Sequence, residues 1–231
     1  MNKRECFYIK EGIIMYYRRF IKRILDVVLA TVFLIIFCPI MLIVACLIKI
    51  YSEGPVIFKQ KRVGFQGNPF YIYKFRTMYY GVKFGDNSPT KIGKYLRKLS
   101  LDELPQLINI IKGDMSFIGP RPWITEYSKW FTESEMRRFE VLPGLSGWAQ
   151  IKGRNGLSIR EKLDADIWYV DNISFKVDVM IFFKTILSVF KKNNTSITED
   201  GIKDELDELR AHYESQHNIE GKQNNNGQEA V

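Results

Sequence analysis

The sequence predicts a mostly helical α/β protein: an N-terminal re-entrant membrane helix-break-helix, a small α/β body, and amphipathic helices at its surface. Three observations carry this expectation. One is an apolar run near the N-terminus with a proline inside it and basic residues on both sides. Another is a pair of short β-type segments, each preceded by a Gly/Pro turn. The third is a series of short helical segments with recognisable starts and stops.

The apolar run is Ile24 to Ile48, 25 residues with a single charge, Asp26. About 20 apolar residues suffice to span a bilayer. The run begins after a long charged segment and lacks a small-residue cleavage site, which argues against a cleaved signal peptide. Pro39 removes a backbone donor just past its middle. Arg18, Arg19, Lys22 and Arg23 precede the run, and Lys49, Lys59, Lys61 and Arg62 follow it. A crossing helix favours basic residues on one side only. Basic flanks on both sides suit a helix that enters, breaks at Cys38-Pro39 and leaves by the same face. The alternative is a proline-kinked helix that spans.

After the Gly54-Pro55 turn, residues 56–60 read as a strand; after Gly67-Asn68-Pro69, residues 70–75 read as a second. Residues 81–90 read as a loop and 92–99 as a helix. Ser100 opens another helix that runs through Ile111 and stops at Gly113. Residues 119–123 (GPRPW) form a turn. Thr132 to Val141 is helical, with Glu133 and Glu135 in the first turn and Arg137 and Arg138 near the end, as the helix dipole favours. Residues 144–156 are glycine-rich and irregular, and 159–169 are helical. Asp178 to Lys192 is amphipathic, suited either to the headgroup plane or to packing on a core. Residues 203–217 read as a polar helix and 218–231 as disordered.

Charge separates body from tail. Residues 195–231 hold three basic and nine acidic residues, a net of −6, whereas 1–194 carry a net of +14. A body this basic prefers an anionic partner: anionic lipid, phosphorylated substrate or nucleic acid. The apolar run sits badly with nucleic acid. Both histidines, His212 and His217, lie in the tail, so chemistry in the body must run on carboxylates, cations and hydroxyls. That excludes Ser-His-Asp, Cys-His and HExxH sites. Cys6, Cys38 and Cys46 form no CxxC pair, against a zinc site or disulfide framework.

The densest chemistry is Ser100-Leu101-Asp102-Glu103-Leu104-Pro105. Ser-x-x-Glu is a capping box, and one reading stops there: Ser100 caps, Glu103 reaches back, and Asp102 complements the dipole. The other reading adds that a helix start binds phosphate. An acidic residue there is expected to have a lowered pKa. Lys61, Arg62, Lys74, Arg76, Lys94, Arg97, Arg121 and Arg154 supply cations. Lys61 and Arg62 suit lipid headgroups as well as substrate. Arg121 stands between two prolines, where a stiff backbone displays a guanidinium for bidentate phosphate binding. Arg154 lies among Gly153, Asn155 and Gly156, as in a ligand-facing loop. Paired carboxylates, cations and a divalent metal make a phosphoryl-transfer site. Magnesium fits best, since it binds through few carboxylates plus substrate phosphates. Neither Gly93-Lys94 nor Gly221-Lys222 continues into the Ser/Thr of a phosphate-binding loop, which disfavours ATP.

Taken together, KRILDVVLA (22–30), GPVIFKQKRVG (54–64), YKFRTM (73–78), LRKLSLDELPQLINIIKGDMSFIGPRP (96–122), PGLSGWAQIKGRN (143–155) and DIWYVDN (166–172) resemble the bacterial sugar transferase family, the monotopic polyprenyl-phosphate phosphoglycosyl transferases. The likeness covers roughly residues 20–192. It implies a re-entrant helix and a small α/β domain on the cytoplasmic face of the bacterial inner membrane. It implies transfer of a sugar-1-phosphate from a UDP-sugar to undecaprenyl phosphate with release of UMP, an early membrane step of capsule or exopolysaccharide assembly. Carried over, Asp102 is the nucleophile that holds the phosphosugar covalently and contacts magnesium, and Glu103 assists proton transfer. Lys74, Arg97 and Arg121 match positions near donor phosphates or nucleotide; Arg76 and Arg154 join them as candidate substrate-binding cations.

The chain departs from the family pattern at Cys38, where relatives often have Ser before the Pro, and in the loop at 79–91, which is shorter and less acidic. A minimal form, without the large members' extra N-terminal membrane domain, is the expectation. The division expected is a basic segment at 1–19, the re-entrant helix at 20–50, a catalytic domain at 51–194 and an acidic, partly disordered tail at 195–231. An anionic membrane is the expected surface partner, and nucleic acid is not expected. A glycosyl transferase releasing UDP and a non-catalytic membrane assembly protein are the competing classes. An N-acetylated hexose is the donor suggested by similarity to small members, with galactose and glucose open; the oligomeric state, a homodimer included, is open too.

Overall fold

The computed structural model describes residues 12, 15–80, 89–153, 156–190, 207, 209–211 and 213–214. A π-helical turn, Tyr17–Ile21, leads into α1, Lys22–Tyr51. The helix runs without interruption through Cys38 and Pro39, so the expected break is not a break in helical structure. Proline removes one donor, which frees the carbonyl four residues earlier, and Ile35 there is 70% exposed.

Both halves of α1 are fastened to the body, and the helix between them leaves a row of apolar residues exposed. On the N-terminal side, the Arg23 guanidinium donates to the carbonyls of Ile110 and Ile111 at 2.5 and 2.8 Å. These are C-terminal carbonyls of α3, Gln106–Lys112, a position where helical carbonyls run short of intrahelical donors. Asp26 is buried and accepts the Phe117 backbone N–H at 3.1 Å. Lys22 donates to Asp178 Oδ2 at 2.6 Å, and the same carboxylate takes the hydroxyls of Tyr17 at 2.7 Å and Tyr169 at 2.6 Å. On the C-terminal side, Val44 and Ile48 are buried against Phe75 and Leu96. Between them Ile35, Ile36, Ile40, Leu42 and Ile43 are exposed.

The body follows. β1 (Ile57–Val63) and β2 (Pro69–Phe75) form an antiparallel hairpin with Ile57 opposite Phe75 and Val63 opposite Pro69. Gln66 and Gly67 both take positive φ in the connection. α2 is Lys91–Lys98, capped by the Thr90 hydroxyl accepting from Gly93 N. A Cβ on Gly93 would lie 1.9 Å from the Thr77 carbonyl oxygen, so only glycine lets α2 come this close to the end of the hairpin. A 3-10 turn, Leu101–Glu103, leads into α3, which ends at Gly113 in the left-handed conformation.

The 144–156 stretch, expected to be irregular, holds two elements. β4 (Gly144–Ser146) pairs in parallel with β3 (Ser116–Ile118), and α5 (Trp148–Lys152) follows. Three-residue strands are too short for an alternation pattern to reveal them. α4 (Glu133–Met136) has a complete capping box between Thr132 and Glu135 and tightens into a 3-10 turn, Arg137–Glu140. α6 (Ile159–Asn172) has another, between Ser158 and Glu161. α7 spans Phe175–Phe190.

The main core joins α1, α3, β3, α6 and α7 around Ile110, Met115, Phe117, Tyr169 and Ile181. A second cluster packs Trp123, Phe131 and Phe139 with Leu163 and with Leu209 of the tail, where Tyr213 also meets the Trp130 ring at 5.6 Å. The described part of the tail is thus docked. α7 packs on the core through Ile181, which is fully buried, and leaves Phe183, Ile186 and Leu187 exposed. The expected disorder at 218–231 concerns residues outside those described.

Candidate active site

The expected capping box at Ser100 does not form. Ser100 sits in the left-handed region, φ 56° and ψ 20°, and makes no side-chain cap. The chain therefore turns sharply after α2, and the 3-10 turn directs Asp102 and Glu103 toward the hairpin. Glu103, free of any capping duty, gives its Oε1 to two cations: Lys74 Nζ at 2.8 Å and Arg121 Nη2 at 3.3 Å.

Lys74 comes from β2, whose neighbouring backbone is clamped to α3 by one fully buried side chain. Asn109 Oδ1 accepts from Tyr73 N at 3.0 Å, and its Nδ2 donates to the Tyr71 carbonyl at 2.7 Å. The amide imitates an adjacent strand, and so fixes Lys74 relative to the turn that bears Asp102.

The two adjacent carboxyls occupy different electrostatic states. For Glu103, burial pushes upward, but Lys74 and Arg121 outweigh it and hold the group at about 2. Asp102 moves the other way: burial raises its pKa, the Glu103 charge raises it further, and Lys74 and Arg97 oppose. The lowered value expected of Asp102 belongs instead to its neighbour, because Asp102 is buried without an ion-pair partner of its own. Asp102 is 9% exposed and accepts no hydrogen bond from another side chain among the described residues. Its carboxylate is the one available for chemistry.

Arg97 donates through Nε to Thr77 Oγ1 at 2.9 Å, beside Asp102. The structure therefore brings together Asp102, Glu103, Lys74, Arg97 and Arg121. It places Arg76 elsewhere: that guanidinium is buried and donates to the carbonyls of Ser52, at 2.8 Å, and Glu53, tying the end of α1 to the hairpin. Arg154 lies outside the described residues. Lys61 and Lys94 are exposed. No group of three or more His, Cys, Asp or Glu side chains suited to a metal occurs among the described residues, so Asp102 could hold an ion only together with substrate oxygens.

Sequence reasoning missed Arg138. Placed by the sequence only near a helix end, it is fully buried, paired with Asp166 Oδ2 at 2.7 Å. Burial raises Asp166 to about 6 against the pull of Arg138. Its neighbour Arg137 is the exposed one, paired with Asp171. The adjacent pair Arg137-Arg138 gives no signal of which side chain turns inward.

Residues 17–192 match the family model described as bacterial sugar transferase. The uncharacterized sugar transferase EpsL of Bacillus subtilis is 45% identical over 73% of this chain and 87% of its own length. The UDP-N-acetylgalactosamine-undecaprenyl-phosphate N-acetylgalactosaminephosphotransferase of Aeromonas hydrophila is 44% identical over 74% of this chain, which spans 44% of that protein. The UDP-glucose:undecaprenyl-phosphate glucose-1-phosphate transferase of Caulobacter vibrioides is 38% identical over 75% of this chain and 71% of its own length.

Proposed function

The chain belongs to the bacterial sugar transferase family, and on that premise we propose that it transfers a sugar-1-phosphate from a UDP-sugar to undecaprenyl phosphate, releasing UMP. The observation that carries the mechanism is the division of labour between adjacent carboxyls. Glu103 is saturated by Lys74 and Arg121, while Asp102 has no side-chain partner among the described residues.

In this reading an Asp102 oxygen attacks the β-phosphorus of the donor. The bond from that phosphorus to the bridging oxygen breaks, and UMP departs with the electron pair. The sugar-phosphate is then an acyl phosphate on Asp102. An oxygen of the lipid phosphate attacks the same phosphorus, Asp102 leaves as a carboxylate, and the product is a lipid diphosphate sugar. Each nucleophile and leaving group is an ionised oxygen, so neither step requires proton transfer. A pKa near 2 makes Glu103 a poor base, and its role here is to hold Lys74 and Arg121. Those two cations and Arg97 offset the charge of the diphosphate. The donor set fits magnesium as one protein carboxylate, Asp102, plus donor phosphate oxygens, and the ion would screen that carboxylate from the phosphates.

For the membrane, α1 supports a helix that enters and returns on one face: both of its halves are fastened to one body and apolar residues between them are exposed. Phe183, Ile186 and Leu187 of α7 are exposed as well and suit contact with a headgroup layer. Residues 20–50 are then the membrane element and 51–194 the catalytic domain on the cytoplasmic face of the inner membrane, acting early in surface glycan assembly.

The test is a nucleotide-release assay. Detergent-solubilised chain, magnesium and undecaprenyl phosphate are given a panel of UDP-sugars: UDP-N-acetylgalactosamine, UDP-N-acetylglucosamine, UDP-glucose and UDP-galactose. UMP that forms with one donor and disappears in Asp102→Asn supports the reading and identifies the sugar. UDP as product would replace it with direct glycosyl transfer.

A further inference from the structure

Arg121 lies between Pro120 and Pro122, so two of the three peptides in this segment have no N–H to donate. A backbone without donors is held through its carbonyls. Four consecutive carbonyls are taken: Pro120 O by Gly144 N at 2.9 Å, Arg121 O by Arg138 Nη2 at 2.8 Å, Pro122 O by Arg62 Nη1 at 3.1 Å, and Trp123 O by Val63 N at 3.0 Å. The outer two are main-chain contacts. The inner two, accepted by the carbonyl of the Arg121–Pro122 peptide and by that of the next peptide, come from guanidinium groups on separate elements.

Both groups are expensive to place there. Arg138 is 2% exposed; its Nη2 also serves Asp166, its Nε and Nη1 have no partner, and its cation lies over the rings of Trp123, Phe131 and Phe139 at 5.0, 5.3 and 5.6 Å. A buried ion pair is a poor way to stabilise a fold. Arg62 is drawn down to about 10 by burial and by the nearby Arg121 charge, and its own Nε lacks a partner.

We propose that Arg138 and Arg62 are positioning residues for Arg121: they hold the carbonyl of Arg121 itself and that of Pro122 after it, and so set where its guanidinium meets Glu103 and the donor diphosphate. Pro122 already confines Arg121 to extended backbone, so fixing these two carbonyls leaves its Cα–Cβ direction little freedom. The inference rests on the donor being a nucleoside diphosphate sugar, as proposed above.

The experiment is a double-mutant cycle read by calorimetric titration of UDP into the full chain, which needs no turnover. Arg62→Met and the charge-neutral pair Arg138→Met/Asp166→Leu are each measured with Arg121 present and in an Arg121→Ala background. The expected result is a loss of UDP affinity of roughly tenfold when Arg121 is present and little change when it is absent. Melting temperature should fall by the same amount in both backgrounds. Equal affinity losses in both backgrounds would overturn the proposal and leave a purely structural role. Wild-type chain that binds no UDP would overturn the donor reading, and this proposal with it. Arg62→Met lies at the hairpin edge and carries the test alone where the buried pair cannot be replaced.

Discussion

Lys74 and Arg121 converge on one oxygen of Glu103, at 2.8 and 3.3 Å, from a strand and a proline-flanked turn that are 47 residues apart in sequence. Removing either cation changes what the other carboxyl experiences. With Lys74→Met, Glu103 keeps only the partly exposed Arg121 and its pKa rises, while Asp102 loses a cation that lowers its own. We expect UMP release to fall on the order of 10²-fold, as for loss of one preorganised charge in a site. Steady-state kinetics with the donor found in the panel checks this.

The pH dependence divides between the two carboxyls. Glu103 is lowered from 4.5 to about 2 on folding, so its pairing contributes its full stability above about pH 4.5 and loses it as the pH falls toward 2. Asp102 is shifted upward, so the acid limb of activity is expected to belong to Asp102 and to lie higher than that of a free aspartate. Glu103→Gln removes the neighbouring charge that raises Asp102 and releases Lys74 and Arg121 from their partner. The limb of the residual rate should move to lower pH, and a profile that stays in place would assign it to another group.

At Ser100 the two local readings predict opposite outcomes. A capping serine replaced by glycine loses a few tenths of a kcal/mol. The observed φ of 56° instead makes glycine the better residue, so Ser100→Gly should stabilise by up to about 1 kcal/mol. Thermal melts of Ser100→Gly and Ser100→Val decide, with the β-branched variant expected to be the less stable.

Leu209 is wholly buried in the cluster that contains Phe131, Phe139 and Trp123. Leu209→Ala should cost roughly 2 kcal/mol, up to the full docking energy of the tail segment. Chemical unfolding measures the loss, and changed Trp130 fluorescence would report separation of Tyr213 from that ring.

Asp178 accepts from Lys22, Tyr17 and Tyr169 within a buried network that seats the start of α1. Asp178→Ala leaves the Lys22 charge without its partner, and a destabilisation of about 3 kcal/mol is expected. Limited proteolysis between residues 17 and 26 should accelerate in the variant, since this is the anchor that is lost.

What the sequence determined by itself was whatever depends on neighbours along the chain. The apolar run of α1, the hairpin between its two turns and the helix ended by Gly113 are periodic or punctuated, and short-range sterics decide them. The adjacent carboxyls and the proline-flanked Arg121 were legible for the same reason. Tertiary structure alone decided the rest. A capping box is a local option, and Ser100 forgoes it because Lys74 and Arg121 compete successfully for Glu103. Of the arginines, Arg97 was drawn to the site, Arg76 to the carbonyls at the end of α1, and Arg138 into the core, because a long flexible side chain goes where distant elements leave acceptors or charge unmet. That choice is made by packing between segments far apart in the chain, and no spacing pattern records it.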